Sequence, residues 1–195
     1  MDPRIARTRA SLQSALLELA HENGLNGVTV AEITERAGVN RSTFYQHYDD
    51  KDTLLADALD AAMAQIGATV GASVDPDGVP AEIRAYLHHV RENIALYREV
   101  LGDHGSAIVS ARLRQRLDAI ISRSIAASPA DPYPDVPLDI AVAGVAGAAI
   151  GVIRAWVARD PLPPVDDAAR WMWSVVTGPV ALLQEIESAA RLHRG

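Results

Sequence analysis

The sequence predicts an all-α protein. Apolar residues recur every three or four positions along most of the chain, as they do on one face of a helix, and the alternating pattern of strands is scarce. Hydrophobic residues make up 49% of the 195 residues and charged residues 22%. This composition provides enough apolar surface for a folded core and is unlike that of a disordered chain.

The periodicity predicts eight helices joined by loops rich in glycine, proline and aspartate. The expected helices cover about 5–22, 30–37, 41–47, 51–70, 81–101, 108–127, 138–159 and 166–192. The clearest is 81–101, whose apolar residues follow one another at spacings of 4, 3, 4, 3 and 4. We expect a linker at 71–80 and a proline-rich loop at 128–137.

Composition excludes several classes of site. The sequence has no cysteine, which excludes disulfides, thiolate nucleophiles and cysteine-ligated metals. His88 and His89 diverge by about 100° on a helix, so they are poor joint metal ligands. The longest uncharged run, 140–153, has 14 residues, whereas a membrane span needs roughly 20. We expect a cytoplasmic protein without a membrane span, a metal site or a cofactor.

Two short helices joined by a tight turn are predicted between residues 28 and 48. Thr29, followed three residues later by Glu32, forms a capping box that starts the first helix. Gly38 can take the left-handed conformation that ends this helix, and Asn40 is a good N-cap for the next one. Such a pair is a helix-turn-helix, whose second helix enters the major groove of DNA.

The second of these helices has one apolar edge and one polar edge. Phe44 and Tyr48, four residues apart, form the buried edge. The opposite edge carries only hydrogen-bonding groups and no acid: Arg41, Ser42, Thr43, Tyr45, Gln46 and His47. Arginine can pair with guanine, glutamine with adenine, and threonine can contact a thymine methyl group.

The phosphate contacts are expected from neighbouring positions. Tyr45 and His47 suit phosphate oxygens. Lys51 opens the following helix, where a cation and free backbone N–H groups together can hold a phosphate. Thr29, at the start of the first helix of the pair, completes the candidate DNA-binding set.

The charge of the chain does not by itself indicate DNA. The net charge is −7, and within residues 1–51 six basic residues oppose seven acidic ones. The location of the charges matters more than their sum, because only the face against the phosphates must be positive. A two-helix corner with a polar surface and no DNA role is the alternative interpretation.

The first 55 or so residues resemble the TetR family of bacterial repressors. The likeness lies in Val-Thr-Val-Ala-Glu-Ile at 28–33, Ala-Gly-Val at 37–39, Arg-Ser-Thr-Phe-Tyr at 41–45, and Tyr48 two residues before Asp50-Lys51. Tyr48 stands where phenylalanine is more usual in the family. The resemblance implies that Tyr45 and its neighbours contact phosphates and bases, and that Lys51 begins the helix linking two domains.

The resemblance also implies the organisation of the whole chain. Residues 1–50 would form a three-helix DNA-binding domain, and residues 51–195 a larger helical domain for effector binding and dimerisation. A homodimer through the helices at about 138–159 and 166–192 would bind a palindromic operator in double-stranded DNA. A small-molecule effector would release it, which is the behaviour of a repressor.

A stripe of small residues supports close packing of the helix at 138–159. Gly144, Gly147 and Gly151 fall on about one face of it. Glycine costs roughly 1 kcal/mol per helix position relative to alanine, so three of them in one helix indicate a structural reason. Contact with a second subunit and tight packing within one subunit are both consistent with the stripe.

The effector pocket implied by the resemblance lies among the helices at about 51–70, 81–101 and 108–127. Tyr86 and Asn93 lie beside the apolar stripe of the second of these helices and are the candidate effector-binding residues. The helices are mainly aliphatic, so we expect a small, mostly apolar organic effector held by a few hydrogen bonds. A solvated helix face is the alternative.

Other functions stay open at this stage. The same fold could serve an activator or a regulator without a ligand. It could also serve a helical small-molecule-binding protein or an enzyme without a DNA role. No set of residues in the sequence is singled out as catalytic, so we do not expect an enzyme.

Overall fold

The computed structural model describes residues 3–70, 75–102, 105–126 and 132–192, and the side chains in these ranges except those of 67, 69, 70 and 179–192. These residues form nine α-helices and a short 3₁₀ helix, Leu25–Gly27, without any strand. The α-helices are α1 (Pro3–Asn23), α2 (Val30–Arg36), α3 (Arg41–His47), α4 (Lys51–Val70), α5 (Ala81–Glu92), α6 (Ile94–Val100), α7 (Ala107–Ala126), α8 (Leu138–Val157) and α9 (Val165–Leu192). The all-α prediction is confirmed.

The first three helices pack around one apolar stripe of α1. Leu12, Leu16 and Leu19 are buried on this stripe, and they share a core with Ile33 of α2 and Phe44 of α3. The same core continues into α4 and on to α9. The chain leaves α3 at His47 and enters α4 at Lys51, and the apolar core continues across this turn.

The expected helix at 81–101 is divided in two, which corrects the sequence-based prediction. Asn93 lies between α5 and α6 with φ −114° and ψ 33°, outside the helical region. Its side-chain amide donates to His89 O at 2.9 Å, the carbonyl to which its own backbone N–H also donates. Asparagine competes in this way with regular helical hydrogen bonds, so the apolar spacing continues while the helix breaks.

Side-chain hydrogen bonds from Trp156 and Arg98 connect α6, α8 and the segment between α8 and α9. Trp156 is fully buried, and its indole N–H donates to Pro163 O at 3.0 Å. Arg98 of α6 donates to Val157 O at 2.7 Å and to Arg159 O at 3.1 Å. A cation at this position complements the negative end of the α8 dipole.

Arg84 fastens the segment before α5 to the start of α9. Its guanidinium donates to Asp75 at 2.6 Å, to Asp77 at 2.7 Å and to Asp166. The structure describes residues 75–80 of the expected linker. Residues 71–74 of the linker, residue 127 of the expected helix and residues 128–131 of the expected loop lie outside the described residues.

Asp57 of α4 receives hydrogen bonds from three side chains of the N-terminal helices. Arg9 Nη2 donates to Oδ1 at 2.8 Å, and Gln13 Nε2 and Tyr48 Oη donate to Oδ2 at 2.6 and 2.5 Å. Burial opposes ionisation of Asp57, but the bonds from Arg9, Tyr48 and Gln13 outweigh it and lower the pKa of the carboxyl. Burial and the bond to Asp57 raise the pKa of Tyr48 to about 12. The network joins α1 and the end of α3 to α4.

Replacing Asp57 with asparagine should lower the free energy of unfolding near neutral pH by about 1.5–3 kcal/mol, the usual contribution of hydrogen bonds to a charged group. Because the folded-state pKa of Asp57 is lowered, this contribution is complete above the unfolded carboxyl pKa of about 4 and disappears as the pH falls through the folded value. Urea unfolding of both proteins near pH 7 and below about pH 4 measures the difference.

Asp60→Asn is the matched control, because Asp60 lies on the same helix and forms only a long, partly exposed ion pair with Arg116 at 3.6 Å. It should change stability by less than about 1 kcal/mol. Equal losses in the two variants, or a loss at Asp57 that persists in acid, would contradict the assignment.

Candidate nucleic-acid interface and internal cavity

The turn between α2 and α3 is built from local caps. Thr29 Oγ1 accepts from Glu32 N at 3.3 Å while the Glu32 carboxylate accepts from Thr29 N at 2.8 Å, which completes the capping box. Gly38 has φ +67°. The N–H groups of Gly38 and Val39 donate to the carbonyls of residues 35 and 34, the pattern of a Schellman motif. The turn therefore sets the angle between the two helices through backbone bonds.

α3 turns one edge inward and the other outward, as the sequence predicts. Phe44 is fully buried and Tyr48 is 3% exposed. Arg41, Ser42, Tyr45 and Gln46 are exposed, and Thr43 and His47 are half-buried. The expected side chains are thus brought together on one outer edge.

The hydrogen bonds divide this edge into engaged and available groups. Asn40 Oδ1 accepts from Thr43 N, Ser42 Oγ and Thr43 Oγ1 at 2.7 to 2.8 Å. The hydroxyl hydrogens of Ser42 and Thr43 are therefore used in capping α3. Arg41 stacks over the Tyr45 ring, with Cζ 5.7 Å from the ring centroid, and makes only a long bond of 3.4 Å to its hydroxyl.

Contact with the buried Phe44 orients the Tyr45 side chain. Its ring meets Phe44 edge-to-face with centroids 5.2 Å apart, and the side chain is 48% exposed. An exposed aromatic side chain fixed at its base can present its hydroxyl to a partner with little loss of conformational freedom. Arg41, Tyr45, Gln46 and His47 are the members of the expected set best placed to contact DNA.

Thr29 contributes to the interface indirectly. Its hydroxyl accepts from Glu32 N and donates to the Glu32 carboxylate at 2.7 Å. The hydrogen bonds from the Thr29 hydroxyl and backbone lower the pKa of Glu32. Both functions of the hydroxyl are used in starting α2, so the structure gives Thr29 a capping role.

The structure gives Lys51 partners within the chain, whereas the phosphate contact expected from the sequence stays a prediction. Lys51 begins α4 as predicted, and its ammonium donates to Leu25 O at 2.8 Å and to Val28 O at 2.9 Å. Both carbonyls belong to buried residues at the ends of the 3₁₀ helix. The Leu25 carbonyl also accepts from Val28 N at 3.2 Å, so the ammonium adds a charged donor there and bonds to the Val28 carbonyl as well.

Three of the acids near the interface make contacts within the chain. Glu22 and Glu18 of α1 pair with Arg36 at 2.9 and 3.5 Å. The hydrogen bonds from Arg36 lower the pKa of Glu22. Asp50 accepts from Thr53 N at 2.7 Å and caps α4. The N-terminal segment therefore contains more acids than bases although the outer edge of α3 carries no acid.

A cavity of about 470 Å³ lies within the larger part of the chain. Helices α4, α5, α6, α7, α8 and α9 contribute to its wall, which is mainly aliphatic. Its lining residues are Met63, Pro80, Glu82, Ile83, Tyr86, Leu87, Val90, Tyr97, Leu113, Leu117, Ile120, Ile121, Ser124, Ile125, Pro132, Tyr133, Val145, Ala149, Ile153, Met172, Trp173, Val176 and Thr177. Its volume is within the range of pockets that take small organic ligands.

The structure separates the two expected effector-binding residues. Tyr86 lines the cavity and donates its hydroxyl hydrogen to Met63 O of α4 at 3.1 Å; burial raises the pKa of Tyr86. Asn93 is not among the lining residues, because its amide bonds back to His89 O at the break between α5 and α6. Tyr97, four residues further on, lines the cavity instead, and burial raises the pKa of its phenol.

The glycine stripe of α8 is open toward the described residues. A Cβ atom added at Gly144, Gly147 or Gly151 would meet no described atom within 4 Å. Large apolar side chains are exposed on the same helix and on α9: Leu138, Ile140, Trp171 and Val175 are 40 to 60% exposed. Close packing against the described part of the chain does not explain these glycines.

Comparison with known proteins agrees with the helix-turn-helix. Residues 12–58 match the family model of bacterial regulatory proteins, tetR family. The N-terminal segment of the chain thus resembles the TetR family. In curated relatives, it is 39% identical over 67 residues to an uncharacterized HTH-type transcriptional regulator, YxbF, from Bacillus subtilis, covering 34% of this chain and 18% of that protein. It is 29% identical over 111 residues to the tetracycline repressor protein class C from Escherichia coli, covering 57% and 50%. The chain thus spans half or less of the length of these relatives.

Solved structures extend the likeness to nearly the whole fold of the chain. A TetR-family transcriptional regulator from Syntrophomonas wolfei superposes with a TM-score of 0.66 at 18% identity, covering 90% of this chain and 96% of that one. Thermus thermophilus FadR, a TetR-family repressor in complex with lauroyl-CoA, superposes with a TM-score of 0.60 at 18% identity, covering 87% and 94%. At such identities the likeness concerns the fold.

The sequence predicted the outer edge of α3 better than the cavity. Most lining residues of α7, α8 and α9, such as Leu117, Ile153 and Trp173, carry the same helical spacing as core residues. This spacing does not distinguish residues that line a cavity from residues of a filled core, because the two differ only in the empty volume between the helices.

Replacing Lys51 with methionine should lower the free energy of unfolding by about 1.5–3 kcal/mol, because two buried carbonyls lose a charged donor. Methionine keeps most of the apolar stem, so the loss reports the ammonium. Lys51→Arg, which keeps the charge and several donors, should recover part of the loss. Thermal or urea unfolding of the three proteins measures it, and a Lys51→Met protein as stable as the parent would remove this role.

Proposed function

We propose that this TetR-family protein is a sequence-specific DNA-binding transcriptional regulator that acts as a repressor. The outer edge of α3 carries the proposal: Arg41, Tyr45, Gln46 and His47 stand together on a helix whose angle is set by the turn at Gly38. A helix of this kind reads base edges in the major groove. Arginine and glutamine are the side chains that pair with guanine and adenine there.

We propose further that a small organic effector in the cavity releases the protein from DNA. The cavity reaches α4 at Met63, and α4 holds α1 and α3 through Asp57. A ligand can change DNA affinity only if it favours one position of such a shared element. Thermus thermophilus FadR, which has a similar fold, was solved with lauroyl-CoA bound, and this supports a ligand-responsive function. Tyr86 is the proposed effector contact.

The proposed division of the chain follows from these roles. Residues 1–50 form the DNA-binding unit, and residues 51–195 form the effector-binding and dimerisation unit. α4 belongs to the second unit but shares the core of the first. Among the described residues no group of three or more histidines, aspartates or glutamates could hold a metal ion, and we propose no catalytic reaction.

The proposed assembly is a homodimer through α8 and α9, which would place two α3 helices on a palindromic operator. The open glycines of α8 and the exposed Trp171 and Val175 of α9 support it. By length and composition alone, Leu138–Val157 could also cross a membrane. A contact between subunits accounts for the same apolar surface in a cytoplasmic protein.

Selection of bound DNA from a random pool, followed by a salt titration, tests the DNA role. Arg41→Gln should weaken binding to the selected operator by about 1–3 kcal/mol and relax the preference at one base position. Arg36→Gln is the matched control, because Arg36 is engaged with Glu22 and Glu18, and it should retain both affinity and preference. The same base preference in the Arg41 variant would remove that contact, and no selected sequence at all would overturn the proposed function.

Replacing Gly147 with leucine should separate the subunits. Overpacking costs typically about 1–3 kcal/mol, and a two-fold interface contains each replacement twice. Analytical ultracentrifugation should show a monomer or aggregate where the parent is a dimer. Ala111→Leu, at an exposed position of α7, is the control and should stay dimeric. A Gly147→Leu protein with an unchanged dimer affinity would exclude this face as the interface.

A further inference from the structure

The polar groups of the cavity are mainly hydrogen-bond acceptors. Tyr86 Oη donates to Met63 O at 3.1 Å, Ser124 Oγ to Ile120 O at 3.1 Å, and Thr177 Oγ1 to Trp173 O at 2.7 Å. A hydroxyl has one hydrogen and two lone pairs. These three lining hydroxyls therefore offer only lone pairs to a ligand.

The charge of the described lining is negative. Glu82 is its only residue with a full charge, and neither lysine, arginine nor histidine occurs in that part of the lining. The remaining polar side chains there, Tyr97, Tyr133 and Trp173, can donate a hydrogen bond but are neutral. Arg116 and Arg123 of α7 both act on the Tyr86 phenol but do not line the cavity, and Arg116 is paired with Asp60 of α4.

Glu82 and Tyr86 form one acceptor pair with an aromatic face beside it. They lie four residues apart on α5 and hence on the same face, one turn from each other. Tyr86, Tyr133 and Trp173 all line the cavity, and aromatic faces attract cations through their quadrupole. A positively charged group with N–H donors meets a carboxylate, a phenol oxygen and aromatic rings here.

The rest of the wall is long and apolar. The α7 lining extends from Leu113 to Ile125, twelve residues of helix or about 18 Å at 1.5 Å per residue. The lining side chains along this path are aliphatic apart from Ser124. A compact polar cation would leave most of this surface without a partner, whereas an extended hydrocarbon would cover it.

We propose that the cavity binds an elongated organic cation, an alkyl or arylalkyl amine, with its nitrogen between Glu82 and Tyr86 and its apolar body along α7. The proposal rests on the proposed function only where it takes the cavity as the effector site. An anionic head group would be buried beside Glu82 without a cation in the described lining, which is costly. In this respect the proposed ligand differs from the lauroyl-CoA bound by Thermus thermophilus FadR.

Four probes that share one chain separate the head groups: dodecylamine, dodecan-1-ol, dodecanoate and lauroyl-CoA. Binding to the protein without DNA is measured by calorimetry and by tryptophan fluorescence, each below the critical micelle concentration. The amine should bind about 10- to 100-fold more tightly than the alcohol, as expected for hydrogen bonds to a charged group. Dodecanoate and lauroyl-CoA should bind more weakly than the alcohol.

Glu82→Gln should reduce the amine-to-alcohol affinity ratio by about 10-fold or more, since it removes the charge and keeps the shape. Glu92→Gln, an exposed glutamate of the same helix outside the lining, is the control and should keep the ratio. Binding of none of the four probes, a preference for dodecanoate or lauroyl-CoA, or an unchanged ratio in the Glu82 variant would overturn the proposal.

Release of the selected operator is measured separately, which distinguishes this proposal from the proposed function. An amine that binds through Glu82 without releasing DNA supports the ligand class and counts against effector-controlled repression. Release of the operator by dodecanoate, with no binding of the amine, supports effector-controlled regulation and contradicts the proposal of a cationic ligand.

Discussion

The position of α3 depends on the carboxylate of Asp57. α3 has seven residues, too few for a helix that is stable by itself, so its orientation comes from the buried Phe44 and from contacts at its ends. Asn40 and the Gly38 turn fix its beginning, and Tyr48 fixes its end through the 2.5 Å bond to Asp57. Phenylalanine, more usual at this position in the family, would fill the core equally well but could not bond to α4. The tyrosine adds a directional link between α3 and α4.

Net charge is a poor guide to this surface because many of the acids serve the fold. Glu32, Asp50 and Asp57 accept backbone or side-chain hydrogen bonds that start α2, start α4 and join α1 to α4. Glu18 and Glu22 neutralise Arg36. Such an acid is charged, but its carboxylate contacts hydrogen-bond donors of the same chain. The field that a phosphate meets therefore depends on the side chains of α3, where Arg41 projects and no acid occurs.

The sequence-based predictions were accurate where a residue acts on close neighbours in the sequence, and less so where it acts on distant ones. Thr29, Gly38 and Asn40 act within three or four residues, and the starts of α2 and α3 agree with the positions they predict. The two hydrogen bonds of Lys51 within the chain were not predicted because their acceptors lie 23 and 26 residues away. The break at Asn93 was missed because an apolar spacing continues across it, although asparagine is a poor helix former. The cavity could not be predicted, because an unfilled space leaves no pattern in the residues that surround it.

The two proposed sites meet on a single helix, and this sets what an effector must do. Met63 is the α4 residue among the described lining of the cavity, and its carbonyl holds Tyr86. Asp57 lies six residues earlier on α4, about 9 Å along the helix axis. A ligand that fits the cavity equally well in both positions of α4 would leave DNA affinity unchanged, however tightly it binds. Release therefore requires contacts that change when α4 moves, and the contacts available for this are those at Met63 and Tyr86. By reciprocity, operator binding must weaken the ligand through the same contacts, by the same factor.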